Sequence, residues 1–357
     1  MDSKKVLIIG PLAPPFGGVS IHILRLTQLL NSHFDFDFVD ESRIKKKEYF
    51  NLRSLNLLKY FDKIKNADLL YINSGKTSLR IFHLLIGKLF AKKMILIIHS
   101  FPKTSTLVKR PVNQIYNFAN QIMLVNEQLK TNFILPENKY VVKEAFIPPA
   151  IENESELSPY ICRWLDEKKD KGNTIICANA SSLEMYNSED VYGLDLCIAV
   201  LDRLRKKNVC ASFIFVVSSI EKNEEKFLEY KNELSKLKLD NDFLLINERL
   251  SFVRVIQMSD IVLRSTNTDG DALTVREGLF LKKPVLASDV VKRPEGVILF
   301  KNRNIDDLEF KLENLIQSKN FANFEHEYSF LLNDTSQFYV DLIETVLAKQ
   351  KCRKARC

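Results

Sequence analysis

Short, continuously apolar runs alternate with helix-length segments along the whole chain. Strands of this kind, buried on both faces and separated by helices, are typical of parallel sheets. Six runs lie in the first half, at 6–9, 36–39, 69–72, 95–99, 122–125 and 141–146. Six more lie in the second half, at 174–178, 213–217, 243–246, 261–263, 284–288 and 297–300. The pattern therefore predicts an α/β protein with one doubly wound sheet in each half.

The segment 147–159 separates the two halves, because it contains prolines and acids and shows little periodicity. We therefore predict an N-terminal domain over 1–150, a linker region over 151–172 and a C-terminal domain over 173–329. The last segment, 330–357, is predicted to hold one helix and a short basic tail. A chain of 357 residues is long for one domain and natural for two.

The composition indicates a globular protein without a membrane helix or a zinc site. The hydrophobic share of 46% and the charged share of 27% are ordinary for a soluble globular protein. We expect no signal peptide, because only four apolar residues precede Gly10, and no run reaches the roughly 18 residues of a membrane helix. The six cysteines form no Cys-x2-Cys pair, so we expect no zinc site and a reducing, cytoplasmic location.

The positive charge is concentrated in the first half. Residues 1–150 hold 22 Lys and Arg against 11 Asp and Glu, a balance of +11, and the remainder holds 30 against 34, a balance of −4. The asymmetry predicts an anionic partner for the first half: a phospholipid surface, a lipid diphosphate or nucleic acid. No nucleic-acid-binding motif is present. The basic clusters 43–47 and 80–93 are interpreted either as solvated surfaces or as membrane-facing ones, and 80–93 also suits a core-packing helix.

The strongest chemical signal lies in the second half. Asp269 and Glu277 are separated by seven residues; the first follows the apolar run 261–263 and the second lies on the next predicted helix. Backbone amides at a helix start bind phosphate well, which makes Gly270, Leu273 and Thr274 candidate phosphate contacts. A carboxylate in the first turns of the helix can accept from sugar or ribose hydroxyls. An ordinary loop with scattered acids is the alternative.

Two further candidates follow strands of the first half. Gly17 and Gly18 stand before a predicted helix, where glycine lets a backbone approach a ligand, and Ser20 is a candidate helix cap. The loop lacks Gly-x-Gly-x-x-Gly, so a nicotinamide dinucleotide is a poor candidate. His99 ends the run 95–99, at the sheet edge where ligands bind in such folds. A histidine satisfied by a local backbone partner is the alternative.

Together these stretches resemble retaining glycosyltransferases of family four, in the branch that builds bacterial cell-surface polysaccharides. The resemblance rests on Thr-Asp-Gly-Asp-Ala-Leu-Thr-Val-Arg-Glu, the following Lys-Pro-Val-Leu-Ala-Ser-Asp, and the first loop Pro-Pro-Phe-Gly-Gly-Val-Ser. It implies the GT-B fold, with two Rossmann-like domains and the site in the cleft between them. Residues 1–150 are then the acceptor-side domain, 173–329 the nucleotide-sugar-binding domain, and the last helix returns toward the first domain.

The resemblance also implies a function. The protein would move a sugar from a nucleoside-diphosphate-sugar to a polyprenyl-diphosphate-linked glycan in O-antigen, capsule or exopolysaccharide synthesis. It would act at an anionic membrane surface, peripherally on the inner face of the cell membrane, without a metal or other cofactor. Gly17 and Gly18 would approach the reacting centre, and His99 would contact the transferred sugar. Asp269 would bind sugar hydroxyls, and Glu277 would bind the ribose.

The chain departs from the family in two ways. The first acid is usually Glu, and here it is Asp269, one methylene shorter. An Arg and a Lys usually hold the donor diphosphate after the first strand of the second domain, but 178–195 contains neither. We therefore predict that Arg264 supplies the cation and that Asn179 donates a neutral hydrogen bond. A salt bridge between Arg264 and Asp269 or Asp271 is the alternative, and the phosphate contact would then pass to Lys292 or Arg293.

Two other functions remain open at this point. A sugar-nucleotide epimerase on the same fold would act on donor and water without an acceptor. A non-catalytic module would bind glycan or nucleotide-sugar and serve as a scaffold, a reading that the missing Arg and Lys pair favours slightly. Fold alone does not separate these functions.

Overall fold

The computed structural model describes residues 4–14, 17–100, 106–132, 134–221, 223–270, 272–318 and 331–348. The chain divides into two units. Unit 1 comprises Met1–Ile147 with Phe330–Cys357, and unit 2 comprises Pro148–Ser329. Each unit contains its own parallel sheet.

Unit 1 is built on a seven-stranded parallel sheet. Its strands are β1 (Lys5–Gly10), β2 (Asp35–Asp40), β3 (Phe50–Asn51), β4 (Leu69–Ile72), β5 (Lys93–Ile98), β6 (Gln121–Leu124) and β7 (Tyr140–Val142). Its first helices are α1 (Gly18–Leu30), α2 (Leu57–Asn66), α3 (Thr77–Leu89) and α4 (Thr106–Tyr116). The strand order is β3-β2-β1-β4-β5-β6-β7, so the winding reverses between β1 and β4.

Unit 2 repeats the plan with six strands and a short hairpin. Its strands are β8 (Thr174–Ala180), β9 (Met185–Tyr186), β10 (Glu189–Asp190), β11 (Ala211–Val217), β12 (Phe243–Ile246), β13 (Ile261–Arg264), β14 (Val285–Ser288) and β15 (Val297–Phe300). Its helices are α5 (Pro159–Asp170), α6 (Leu194–Lys206), α7 (Glu224–Lys236), α8 (Phe252–Met258), α9 (Leu273–Phe280) and α10 (Ile305–Ser318). The sheet order is β12-β11-β8-β13-β14-β15, so the winding reverses between β8 and β13.

The predicted two-sheet α/β architecture is confirmed, and each of the twelve apolar runs overlaps a strand. The side chains of the central strands are buried because helices cover both faces of each sheet; Val6–Ile9 and Ile95–Ile98, for example, are inaccessible to solvent, whereas the edge strands β7 and β15 are only partly buried. The three strands that the pattern did not predict, β3, β9 and β10, have two residues each. Two residues are too few to show a hydrophobic period.

The structure differs from the sequence prediction over the linker. Residues 151–172 were expected to connect the domains, but most of them form α5. Ile161 and Leu165 on this helix are fully buried in the core of unit 2, where α5 packs on β8. The reason is local: Ser158 precedes Pro159, which takes the first helical position, and the apolar residues that follow lie one turn apart.

The last described helix, α11 (Leu331–Ala348), lies in unit 1. It packs against β5 and α1, and Tyr339 and Ile343 on its inner face are fully buried. None of the described helices has the length and apolar content that a membrane span requires.

Candidate functional site

The carboxylate of Asp269 lies at the centre of a charged cluster beside the end of β13. It accepts two hydrogen bonds from Arg264, Nε to Oδ2 at 3.0 Å and Nη2 to Oδ1 at 2.9 Å. Arg293 Nη1 donates to Oδ2 at 2.8 Å, and the Thr266 hydroxyl donates to the same oxygen at 3.1 Å. The amide of Gly270 donates to Oδ1 at 3.0 Å. Five donors therefore converge on one carboxylate.

The cluster is buried and charged. Burial alone would raise the pKa of Asp269, but hydrogen bonds and positive charge from Arg264 and Arg293 outweigh it and hold the pKa below its usual value. Arg264 also stacks on the ring of Tyr192, with its guanidinium carbon 5.2 Å from the ring centroid. The alternative noted for Arg264, an ion pair with Asp269, is therefore present.

Arg293 is the more deeply buried of the two arginines, with a side chain only 3% exposed. Its Nε donates to the backbone carbonyl of Ser288 at 3.2 Å, at the end of β14. Its Nη2 is buried and has no hydrogen-bond partner. The sequence offered Arg293 only as a substitute for Arg264, although its position just beyond the strand 284–288 follows the same rule that selected Arg264.

Helix α9 brings the residues that were predicted to contact phosphate and ribose to the same edge of the sheet. The Thr274 hydroxyl in its first turn donates to Asn179 Oδ1 at 2.9 Å, which joins α9 to the end of β8. Glu277 lies one turn further on and is buried, at 5% exposure. At Gly278 a Cβ atom would come within 2.7 Å of a Val285 methyl, so only glycine lets α9 lie this close to the strands.

The start of α6 explains the missing cations in the segment 178–195. Asp190 Oδ1 accepts from the amides of Tyr192 at 2.8 Å, Gly193 at 2.7 Å and Leu194 at 3.4 Å. Its other oxygen accepts from the Tyr230 hydroxyl at 2.9 Å. A helix start that would otherwise attract an anion is thus already occupied by a carboxylate of the chain itself.

In unit 1 the first loop leads into α1 without any steric need for glycine. Gly17 is the N-cap residue with φ −129°, and a Cβ atom on Gly18 would meet nothing within 4 Å. Ser20 closes the helix start from the third helical position, since its Oγ accepts from the Gly17 amide at 2.8 Å. This corrects the expectation that Ser20 itself precedes the helix as its cap. The space around both glycines is compatible with a bound ligand.

His99 lies one residue beyond β5 and is paired with a side chain rather than with a backbone group. Its Nε2 is 2.8 Å from Asn73 Oδ1, just beyond β4, and its ring meets the ring of His22 edge-on at 5.4 Å. Burial lowers the pKa of His99 to about 3, assisted by the charges of His22 and Arg80. Burial also lowers the pKa of His22 to about 4, against a hydrogen bond to the Ala145 carbonyl. Both rings are therefore neutral at pH 7.

A second buried network at this edge was missed by the sequence analysis. Glu41 Oε1 accepts from the Ser74 hydroxyl at 2.6 Å and lies 2.8 Å from His83 Nε2, whose other ring nitrogen lies 2.6 Å from the Tyr60 hydroxyl. Glu41 and Ser74 lie just beyond the ends of β2 and β4. Because ligands bind at the carboxyl ends of strands in such sheets, their positions were a signal in the sequence that could have identified them.

Arg80 corrects the interpretation of 80–93 as a basic surface cluster. The residue is fully buried and its guanidinium donates to three backbone carbonyls, of Ser74 at 2.7 Å, Ser100 at 2.9 Å and Gly75 at 3.3 Å. Lys92 and Lys93 likewise donate to backbone carbonyls, Lys92 to that of Ala67 at 2.8 Å and Lys93 to that of Leu347. Much of the charge of this segment therefore joins loops and helices rather than facing solvent.

The predicted residues thus form two groups. Those of unit 2 come together at the reversal between β8 and β13: Asn179, Arg264, Asp269, Gly270, Leu273, Thr274 and Glu277. Those of unit 1 lie near the reversal between β1 and β4: Gly17, Gly18 and His99. Asp271, the other partner considered for Arg264, lies outside the described residues.

Comparison with known proteins shows which fold the two units belong to. No protein-family model and no curated protein sequence matches the chain. Among solved structures, a glycosyltransferase from Rickettsia africae matches with a TM-score of 0.69 at 16% identity, over 98% of this chain and 97% of the other. Anabaena HepE in complex with UDP matches with a TM-score of 0.63 at 13% identity, over 99% of this chain and 100% of the other. A sucrose-phosphate synthase from Thermosynechococcus elongatus matches with a TM-score of 0.59 at 10% identity, over 99% and 98%.

The chain has the GT-B glycosyltransferase fold. At these identities the likeness extends to the fold, and the chemistry has to be argued from the residues of this chain. In a doubly wound sheet the ligand lies beyond the carboxyl ends of the strands where the winding reverses. Both groups of predicted residues lie at such a place.

Proposed function

We propose that this protein is a retaining glycosyltransferase that moves a sugar from a nucleoside-diphosphate-sugar to a lipid-linked glycan. The observation that carries the proposal is the cluster at the winding reversal of unit 2. There two arginines from the ends of β13 and β14 converge on Asp269, and the helix that follows β13, α9, carries buried Glu277. Positive charge next to a carboxylate suits a diphosphate next to a ribose.

The proposed roles follow from this placement. The arginines and the amides at the start of α9 take up the charge of the departing diphosphate, without a metal ion or other cofactor. Glu277 accepts from ribose hydroxyls. Neutral His99, fixed by Asn73 at 2.8 Å, offers its other ring nitrogen to a hydroxyl of the transferred sugar.

The proposed reaction needs no nucleophile from the protein. The bond between the anomeric carbon and the diphosphate oxygen breaks, and a bond to the acceptor oxygen forms on the same face of the sugar. The proton of the acceptor hydroxyl passes to the leaving diphosphate. The protein contributes position and charge stabilisation, which are large terms in group transfer.

The acceptor side of the proposal rests on the surface of unit 1. Leu55, Leu57 and Leu58 at the start of α2 are 80%, 50% and 83% exposed, and Lys45 and Lys47 in the preceding loop are exposed as well. Exposed apolar side chains together with exposed lysines suit an anionic lipid surface. We therefore place the protein peripherally on the cytoplasmic face of the membrane, where a polyprenyl-diphosphate-linked glycan of the O-antigen, capsule or exopolysaccharide type is its acceptor.

The test is a screen of nucleotide sugars by ligand-observed NMR, with and without membrane extract. We expect at least one donor to bind, and to be consumed only when extract supplies the acceptor. Conversion of the donor by water alone points instead to an epimerase or a hydrolase. Binding without turnover under every condition points to a scaffold. Because no metal is proposed, addition of EDTA should leave the donor consumption unchanged.

A further inference from the structure

The hydrogen bonds of Asp269 leave it little capacity to bind a sugar. An ionised carboxylate offers roughly four lone-pair positions. Two donors already reach Oδ1, from Arg264 and Gly270, and three reach Oδ2, from Arg264, Arg293 and Thr266. A sugar hydroxyl would have to displace one of these donors. The short side chain of aspartate contributes, since it keeps the carboxylate within reach of the amide of the next residue.

A helix start in the same unit is closed to an anionic ligand. The first amides of α6 are bound by Asp190, and Asp195 in the first turn of α6 adds further negative charge. Arg303 does not offset this negative charge for a ligand, because its Nη1 already donates to Asp195 at 2.9 Å. A diphosphate bound in unit 2 therefore needs a different cation and a different helix start.

Arg293 provides the unused donor. Its Nε and Nη1 are held by Ser288 and Asp269, which fix the plane of the guanidinium, while Nη2 is buried without a partner. A buried cationic donor without an acceptor is costly, so an acceptor brought by a ligand would be favoured. The start of α9 follows the carboxyl end of β13, the parallel neighbour of β14, and its N-cap residue is Ala272, which has no side-chain oxygen with which to cap the amides.

We propose that Arg293 is the diphosphate-binding cation of this protein and that Asp269 is a positioning residue that holds Arg293 and Arg264 in place. The assignment rests on the proposed function. It moves the diphosphate contact away from the start of α6 to the carboxyl ends of β13 and β14 and the start of α9. It also gives Asp269 a role different from the sugar contact that the family resemblance implies.

UDP and uridine are the probes that test it, because they differ only in the diphosphate and neither carries a transferred sugar. We expect Arg293→Ala to weaken UDP binding about tenfold or more and to change uridine binding less than twofold. Arg293→Lys should recover part of the loss, since it restores the point charge without the fork. Asp269→Asn should also weaken UDP binding, because the arginines lose their anchor.

A matched control is Arg203→Ala. Arg203 is an ion-paired arginine of the same unit, bound to Asp306 and Glu309, but it lies in the last turn of α6, away from the edge where α6 begins. Its removal should leave the ratio of UDP to uridine affinity unchanged. Thermal midpoints of all variants show whether a loss of UDP binding reflects unfolding, in which case uridine binding is lost as well.

Each result has a defined meaning. If Arg293→Ala binds UDP as the wild type does, or if only Arg264→Ala loses it, the assignment to Arg293 is wrong and the proposed function stands. If Asp269→Asn leaves UDP binding unchanged or tightens it, Asp269 is not a positioning residue for the diphosphate site. If the wild type binds none of UDP, GDP, ADP, CDP and dTDP, the proposed function and this assignment both fail.

Discussion

Each unit has a buried arginine at the carboxyl edge of its sheet, and the two arginines are held in opposite ways. Arg80 in unit 1 donates to three backbone carbonyls from the loops that follow β4 and β5. Arg293 in unit 2 is held by one carboxylate and one carbonyl and keeps one donor unpaired. A cation enclosed by the backbone fixes loops, whereas a cation anchored on one side can still accept an anion. The first arrangement has a structural role, and the second leaves a donor with which a ligand can be bound.

The rest of the two edges shows the same contrast. At the edge of unit 1, burial keeps His22 and His99 uncharged, with pKa values near 4 and 3. At the edge of unit 2, two arginines hold the pKa of Asp269 below its usual value against its burial. One edge presents neutral rings and the other presents arginines, which is the contrast that the proposed contacts to a sugar and to a diphosphate need.

The largest expected effect concerns Arg80, the arginine of unit 1 that is contrasted with Arg293. Arg80→Ala should lower the free energy of unfolding by about 3 kcal/mol or more, because charged hydrogen bonds contribute roughly 1.5–3 kcal/mol each and three carbonyls lose their donor. Urea denaturation followed by circular dichroism measures it. A variant as stable as the wild type would show that Arg80 is not structural and would remove the contrast with Arg293.

The second prediction concerns the donor side. Glu277→Ala should weaken donor binding by about 1.5–3 kcal/mol, or roughly tenfold and more, while the fold survives. Glu277→Gln should be milder, because one acceptor oxygen remains for a ribose hydroxyl. Titration calorimetry with the donor found in the screen measures both. An unfolded Glu277→Ala protein, or one with the donor affinity of the wild type, contradicts the ribose role.

The third prediction tests whether the two buried histidines at the edge of unit 1 are uncharged. In the folded protein the pKa values of His22 and His99 lie below the ordinary 6.5, so the unfolded chain binds more protons as the pH falls. Their contribution to stability is complete above pH 6.5 and is lost progressively toward pH 4. His22→Asn should reduce the slope of unfolding free energy against pH by up to about 1.4 kcal/mol per unit in this window. An unchanged slope would mean that the His22 ring is charged in the folded state.

The smallest expected effect compares two neighbouring lysines. Lys47 is exposed, whereas Lys46 donates to Asp40 at 2.9 Å and its side chain is only 10% exposed. Lys47→Ser should weaken binding to anionic vesicles by about 1 kcal/mol, or roughly fivefold, in a salt-dependent way. Lys46→Ser should instead lower the thermal midpoint. Co-sedimentation with vesicles across a salt series separates the two. Absence of the wild type from the pellet at low salt contradicts the membrane part of the proposal.

Much of this architecture could be predicted from local pattern. The run at 69–72 coincides with β4, because a strand buried on both faces needs an unbroken apolar run. The runs at 243–246 and 297–300 coincide with β12 and β15, although these lie at the edges of their sheet and β15 is only partly buried. The helix α5 was overlooked, since the prolines and acids around 147–159 resemble a linker. Arg264 and His99 were selected because they end or directly follow apolar runs, and the structure has them at the ends of β13 and β5, whereas their roles stay predictions.

The partners of these residues could not be predicted in the same way. Asp269 was expected to face a sugar, yet it binds Arg293, which lies 24 positions away along the chain. The sequence left open whether the segment 80–93 faces a surface or packs in the core, and Arg80 binds carbonyls of loops that only the folded sheet brings together. A charged residue in a sequence has many potential partners, and long-range pairing selects among them.

The sequence by itself determined the twelve longer strands, their division into two sheets and the residues that stand at the carboxyl ends of those strands. The apolar pattern decides these, since burial of apolar side chains acts uniformly along the chain. Only the tertiary structure decided which of the polar residues are already satisfied. Hydrogen bonds and ion pairs depend on distances of about 3 Å between groups that are remote in sequence. Asp190 fills the helix start that could have held an anion, and Arg293 keeps a donor that a diphosphate can take.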